Sequence, residues 1–271
     1  MLLERFLWAK ADEVARLRQQ ERKGALPVPF SGQRGDFIAA LQRREAGVPL
    51  TVIAEFKQAS PSRGPICRSL TVEEAARQYV AAGAGALSIL TERRFFAGEL
   101  DFLGRAAACC PGTPLLRKDF IFDPLQVRAT AATPAAALLL IVALTPDAAL
   151  LRRLREQAES LGMQAVVEVC GKKDLVLARE SGARIIQVNA RDLDTLRVDR
   201  HACLELARQC PPERGEIWIA ASAMDRRDHL EEAARAGFSA ALVGTALMQD
   251  GQPGAALRRL LRGREEGHHA A

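Results

Sequence analysis

The chain has 271 residues, 48% of them hydrophobic, with a formal net charge of +5. That length suits one large α/β domain with a sizeable core. Only 5% of residues are aromatic and the arginines are scattered among acidic residues, which argues against a nucleic-acid partner and leaves a small anionic one. Leu2 to Arg22 is predicted as an amphipathic helix, with Leu3, Phe6, Leu7, Val14 and Leu17 on one stripe and Lys10 interrupting it. Gly24, Pro27, Pro29 and Gly32 make a loop, and Asp36 to Glu45 a second short helix. From Thr51 the chain alternates. Apolar runs at 52–56, 86–90, 114–117, 136–142, 164–169, 184–188, 216–220 and 240–243 predict buried strands. Helical patterns at 72–82, 99–109, 124–132, 146–161, 172–181, 199–209, 226–236 and 253–262 follow them.

Local punctuation supports these boundaries. Thr71 with Glu74 forms a capping box, Pro124 and Pro146 suit first helical turns, and Gly162, Gly182 and Gly237 stop helices just before strands. Strand then helix, eight times over with short connections, predicts an α/β fold: a single (β/α)8 TIM barrel with an N-terminal helical extension. A doubly wound sheet is weaker, because no GxGxxG follows any strand. The expected division is an extension over 1–48, the barrel over 49–264 and a disordered tail over 265–271. The six cysteines include no CxxC or metal-like spacing and read as reduced thiols. Charges come too early at the N-terminus for a secretory segment, and no apolar run free of charges or breakers reaches about 18 residues. A soluble, cytoplasmic protein without membrane attachment or a cysteine-based metal site is expected, as a monomer or homodimer.

In such a barrel the chemistry gathers at the C-terminal ends of the strands. The first strand ends in Glu55 and Lys57, on alternate positions and so on one face. The second is followed by Glu92, Arg93, Arg94, Phe95 and Phe96, the third ends in Lys118 and Asp119, and the fourth gives Leu139, Leu140 and Ile141 as an apolar wall. Glu168 ends the fifth, Asn189 with Arg191 the sixth, Ser222 the seventh, and Gly244 with Thr245 the eighth. Each alone has a bland reading: a solvated lysine, a helix cap, an Asx turn. Two lysines, two glutamates, an asparagine and an arginine around one mouth instead suggest acid–base chemistry. Backbone N–H groups and hydroxyls at Ser222-Ala223 and Gly244-Thr245 suit a phosphate.

At these residues the chain resembles indole-3-glycerol-phosphate synthases, the ring-closing enzymes of tryptophan biosynthesis. The likeness is carried by IAEFKQASPSRGPI (53–66), LRKDFIFDPLQV (116–127), VVEV (166–169), VNARDL (188–193) and LVGTALM (242–248), with TERRFFAGELDFL (91–103) similar to the loop after that family's second strand. The resemblance implies a cofactor-free lyase that closes the ring of 1-(2-carboxyphenylamino)-1-deoxyribulose 5-phosphate with loss of CO2 and water. It implies Lys118 as general acid at the substrate carbonyl and Glu168 as the proton-transfer group on the anilino side. Lys57 would anchor anionic groups, Glu55 would tune Lys57, Asn189 would hold the substrate, and Arg191 would orient the mouth through ion pairs. Ser60, Ser222, Ala223, Gly244 and Thr245 would hold phosphate, and Phe95, Phe96 and Leu140 would wall the aromatic ring.

The sequence departs from the family in several places. Ala221, Ser222 and Ala223 stand where the family has Glu-Ser-Gly, Gln187 where it has Gly, Ala190 where it has a second Asn, and Glu99 where a small hydroxyl residue is commoner. The change at 221 removes a carboxylate from the mouth. The change at 223 adds a Cβ that costs roughly 1 kcal/mol if the backbone there needs positive φ. Two alternatives follow: a divergent paralogue with the same barrel and phosphate site but reduced, altered or absent catalysis, or a barrel enzyme acting on another sugar phosphate.

Overall fold

A computed structural model describes residues 2–43, 45–192 and 195–263; the expected tail over 265–271 lies outside the described residues. The chain opens on helix α1 (Leu2–Arg22), then α2 (Phe37–Gln42), whose N-cap Asp36 accepts from the Ala39 amide. Strand β1 (Thr51–Phe56) runs into a short antiparallel hairpin, β2 (Ala59–Ser60) and β3 (Gly64–Pro65). Next come α3 (Val72–Ala81), β4 (Ala86–Leu90), α4 (Arg93–Phe96), α5 (Phe102–Cys109), β5 (Leu115–Lys118), α6 (Pro124–Ala131) and β6 (Ala137–Ile141). After a 3-10 turn, the second half follows as α7 (Ala148–Ser160), β7 (Gln164–Val169), α8 (Lys172–Glu180), β8 (Ile185–Asn189), α9 (Arg200–Gln209) and β9 (Ile217–Ala221). It ends with α10 (Arg227–Arg235), β10 (Ala240–Val243), α11 (Thr245–Met248) and α12 (Pro253–Arg262).

The eight long strands close into a parallel barrel in the order β1-β10-β9-β8-β7-β6-β5-β4. All eight expected strands are present, each within one residue at either end. Closure is by β1, which pairs Ile53 with Leu242 of β10 on one side and with Ala86 of β4 on the other. Period-two alternation divides the apolar residues between two cores. Val52, Phe56, Leu87, Leu138, Leu140, Val167 and Val188 pack against the helices. Ile53, Leu116, Leu139, Val166, Ile185 and Ile219 join the other core, with Phe37 and Leu41 of α2 packed among them.

Helix termini follow the sequence with three shifts, the first being α2, which ends at Gln42, three residues short of the expected Glu45. The Thr71–Glu74 box forms in both directions, and a second box forms at Asp123 and Gln126 ahead of α6. Helix α7 begins at Ala148, two residues beyond the expected Pro146, because the Asp147 carboxylate caps the Ala149 amide. Helix α5 begins at Phe102, three residues late, and the preceding stretch instead holds α4, whose N-cap Glu92 accepts from the amides of Arg94, Phe95 and Phe96. That buries Glu92 as a cap.

Lys10, the interruption in the α1 stripe, has a structural explanation. It is 3% exposed and reaches Asp119 at the end of β5, with Nζ 2.9 Å from Oδ1, and also pairs with Glu13. Asp119 accepts as well from Arg117 at 2.8 Å and Thr91 at 2.5 Å, while Arg117 reaches back to Glu13 at 3.0 Å. Buried charges persist only when paired and hydrogen-bonded, and this cluster meets that condition between α1 and the barrel. Burial alone would raise the Asp119 carboxyl, but Arg117 and Lys10 hold it down to about 2.

Candidate active site

At the C-terminal mouth of the barrel lies a cavity of about 890 Å³. Glu55, the fifth residue of β1, turns inward and is 3% exposed. Its Oε1 accepts from Lys57 Nζ at 2.8 Å and its Oε2 from Ser88 Oγ at 3.2 Å. Burial works against the charge on Glu55, but Lys57 and Lys118 outweigh it and hold the carboxyl below its usual range. Gly244, just after β10, is packed against this carboxylate: a Cβ there would meet Glu55 Oε1 at 2.5 Å. The glycine is therefore a requirement of close approach.

A second pair sits across the cavity. Lys118 Nζ lies 3.2 Å from Oε2 of Glu168, and Glu168 is 1% exposed at the end of β7. The other carboxylate oxygen accepts from Asn189 Nδ2 at 3.0 Å. Asn189 is fixed in turn, since its Oδ1 accepts from the Arg191 amide at 3.0 Å and Ser222 Oγ at 2.8 Å. Gln187 Nε2 also donates to Glu168 Oε2. The carboxylate is thus held by three donors from two strands, β5 and β8, which fixes its plane.

Ser60, Phe96, Arg191, Ser222, Ala223, Gly244 and Thr245 line the same cavity. Ser222 and Ala223 both take left-handed backbone, at φ 68° and 55°. Arg191 is half-buried, its Nη1 donating to Leu196 O at 2.9 Å; burial and the nearby Arg63 lower its proton affinity. Two residues expected in the wall lie elsewhere. Leu140 points outward into the sheet–helix core, because its neighbours Leu139 and Ile141 take the inward positions and line the cavity. Phe95 packs edge-on against Phe6 at 5.2 Å, behind the wall, with Arg5 over its ring.

The wall is instead built from Phe6 and Phe120, stacked 4.1 Å apart, with Phe96 beside Phe120 at 6.1 Å. Sequence reading missed Phe6, Phe120 and the contact made by Gln187. Phe6 looked like ordinary helix stripe; nothing local to residues 2–22 says that the helix returns to the barrel mouth. Among the described residues, no group of three or more His, Cys, Asp or Glu side chains is placed to hold a metal ion. None of the described helices is long and apolar enough to cross a membrane.

Comparison with known proteins decides the family. The family model described as indole-3-glycerol phosphate synthase matches residues 3–260. The chain belongs to the indole-3-glycerol phosphate synthase family. An indole-3-glycerol phosphate synthase of Chloroherpeton thalassium is 41% identical over 254 residues, covering 91% of this chain and 94% of that protein. One of Koribacter versatilis is 39% identical, covering 93% and 94%, and one of Mycobacterium ulcerans 42%, covering 88% and 82%. Among solved structures, a 3-hexulose-6-phosphate synthase superposes with a TM-score of 0.62 at 16% identity, covering 78% of this chain and 98% of that one. A thiamine phosphate pyrophosphorylase from Pyrococcus furiosus gives 0.58 at 15%, covering 80% and 96%. These two likenesses bear on the barrel fold alone.

Proposed function

We propose that this chain is an indole-3-glycerol phosphate synthase, converting 1-(2-carboxyphenylamino)-1-deoxyribulose 5-phosphate to indole-3-glycerol phosphate, CO2 and water. The observation that carries the reading is the pair of ion pairs facing one cavity, Lys57–Glu55 and Lys118–Glu168, in a chain of this family. The ring carbon that bears the carboxylate attacks the ribulose carbonyl, and Lys118, protonated, gives its proton to the carbonyl oxygen as the bond forms. Loss of CO2 from that ring carbon leaves a hydroxyl on the former carbonyl carbon. Lys57 protonates this hydroxyl as water departs, and Glu168 takes a proton from the methylene carbon beside the anilino nitrogen as the new carbon–carbon double bond forms, the nitrogen keeping its hydrogen.

The remaining residues bind and orient. Ser60, Ser222, Ala223, Gly244 and Thr245 hold the phosphate, supported by their common lining of the cavity and by the left-handed backbone at 222 and 223, which turns the chain there. Arg191 adds positive charge at the rim. Phe6, Phe96 and Phe120 give the benzene ring an apolar face. The retention of Glu55, Lys57, Lys118, Glu168 and Asn189 around one cavity speaks against a paralogue that only binds. The finer reading is a cytoplasmic enzyme, monomeric or homodimeric, with no nucleic-acid partner, supported by the sparse aromatics and scattered arginines. The extension over 1–48 we read as part of the enzyme's wall. The test is indole fluorescence from purified protein given the anthranilate-derived ribulose phosphate. No product at micromolar enzyme would reject the proposal.

A further inference from the structure

Gln187 sits inside the barrel on β8, fully buried, and lines the cavity. Its Nε2 donates to Glu168, yet its Oε1 has no hydrogen-bond partner. Only one other buried side-chain polar atom among the described residues shares that condition, His229 Nδ1, and it lies 3.0 Å from Asp225 Oδ1, to which its Nδ1–H tautomer donates. Gln187 Oε1 has no such partner. Turning the amide over does not help, because Oε1 would then face the Glu168 carboxylate, acceptor against acceptor. The orientation is fixed by Glu168, and the acceptor is aimed elsewhere. A buried carbonyl left unpaired is costly, and native proteins keep one where a ligand or water completes it.

We propose that Gln187 both positions Glu168 and binds the substrate directly, its Oε1 accepting a hydrogen bond from a hydroxyl of the ribulose chain. The proposal rests on the function given above. That substrate carries O–H donors on the chain between its carbonyl and its phosphate, and the reacting end has to lie against Lys118 and Glu168. A hydroxyl one or two bonds from the carbonyl then comes next to the residue that touches Glu168. The two ends of one amide would thereby tie the substrate chain to the proton-transfer carboxylate, so that binding and alignment are coupled.

Two substitutions separate the two halves. Gln187→Met keeps the length and shape but removes both polar groups. It is expected to leave the melting temperature unchanged or raised, while KM rises about tenfold and kcat falls about tenfold. Gln187→Glu keeps an acceptor but turns the donor to Glu168 into a second oxygen. It is expected to keep KM within about threefold of the parent and to lose about tenfold or more in kcat. A purely structural glutamine would lower the melting temperature in both variants and leave the kinetics of the folded fraction intact. That pattern, or Gln187→Met within about twofold of the parent in kcat/KM, overturns the proposal. A KM that rises equally in both variants overturns the substrate contact. An inactive parent overturns the proposed function and this inference together, whereas an active parent with unaffected variants overturns this inference alone.

Discussion

Lys118 Nζ and Glu168 Oε2 face each other at 3.2 Å, one from the end of β5 and one from the end of β7. No strand joins them directly, since β6 lies between and offers only Leu139 and Ile141 to the cavity. The proposed acid and its partner carboxylate are thus held opposite one another over an apolar floor. Lys118→Ala is expected to lower kcat by about 10²- to 10⁴-fold, the usual contribution of a positioned general acid. The check is the rate of fluorescence rise at saturating substrate. Turnover within a few-fold of the parent would remove Lys118 from the mechanism.

The turn after β9 carries a strain that a single substitution can relieve. Ala223 is held at φ 55°, a left-handed conformation that costs an L-residue with a Cβ roughly 1–2 kcal/mol. Glycine removes that cost but adds about 0.4–1 kcal/mol of unfolded-chain entropy. Ala223→Gly is therefore expected to stabilise the protein by up to about 1.6 kcal/mol, at roughly 2–4 °C in melting temperature per kcal/mol for a chain of this size. A fall in melting temperature would mean that the alanine methyl makes packing contacts worth more than the strain.

The buried cluster that seats α1 predicts an acid limb in stability. Asp119 has an ordinary value of 3.8 and is held at about 2 in the folded protein. A depressed carboxyl contributes stability that is fully present above pH 4 and is lost as pH falls through about 2, because the unfolded chain takes up the proton first. Asp119→Asn should cost about 3–5 kcal/mol at neutral pH by leaving Lys10 and Arg117 short of a buried counter-charge. It should also flatten the decline between pH 4 and 2 by about 2 kcal/mol. Urea unfolding at several pH values measures both. Parallel curves for parent and variant would contradict the assignment.

How much of this could be read from the chain follows from where the information is stored. The barrel strands are local apolar runs, and the residues at their ends inherit a common address from the topology, so Glu55, Lys57, Lys118, Glu168 and Asn189 could be grouped without coordinates. Leu140 went to the wrong face because three apolar residues in a row, Leu139 to Ile141, carry no alternation to say which one is inward. Phe95 lies behind the wall because it sits on a four-residue helix, capped by Glu92, that no pattern in the sequence announces. Lys10 looked like a flaw in its helix until Asp119, 109 residues away, was found waiting for it. Gln187 read only as a departure, because the meaning of a buried amide depends on the carboxylate beside it.

Ala221 and Gln187 face the barrel interior from neighbouring strands, Ala221 in register with Asn189 and Gln187 with Ile219, one step below. The family resemblance places Glu and Gly at these two positions, so this chain lacks a carboxylate at 221 and carries an added side chain at 187. Ala221→Glu alone would add another carboxylate to a cavity that already holds Glu55 and Glu168, and would set it near the Gln187 acceptor. Like charges and an unmatched acceptor in a buried site are unfavourable. The single variant is expected to lose about threefold to tenfold in kcat/KM. Gln187→Gly alone should lose about tenfold or more, since it removes one of the three donors to Glu168 and leaves a void. Together they should recover to at least the parent, because the new carboxylate gains the space and supplies the acceptor that the amide had provided. The coupling between the two changes would then exceed about 1.4 kcal/mol, a factor of ten in kcat/KM. Kinetics of the four proteins measured side by side decide it, and effects that simply add would mean that the two positions act independently.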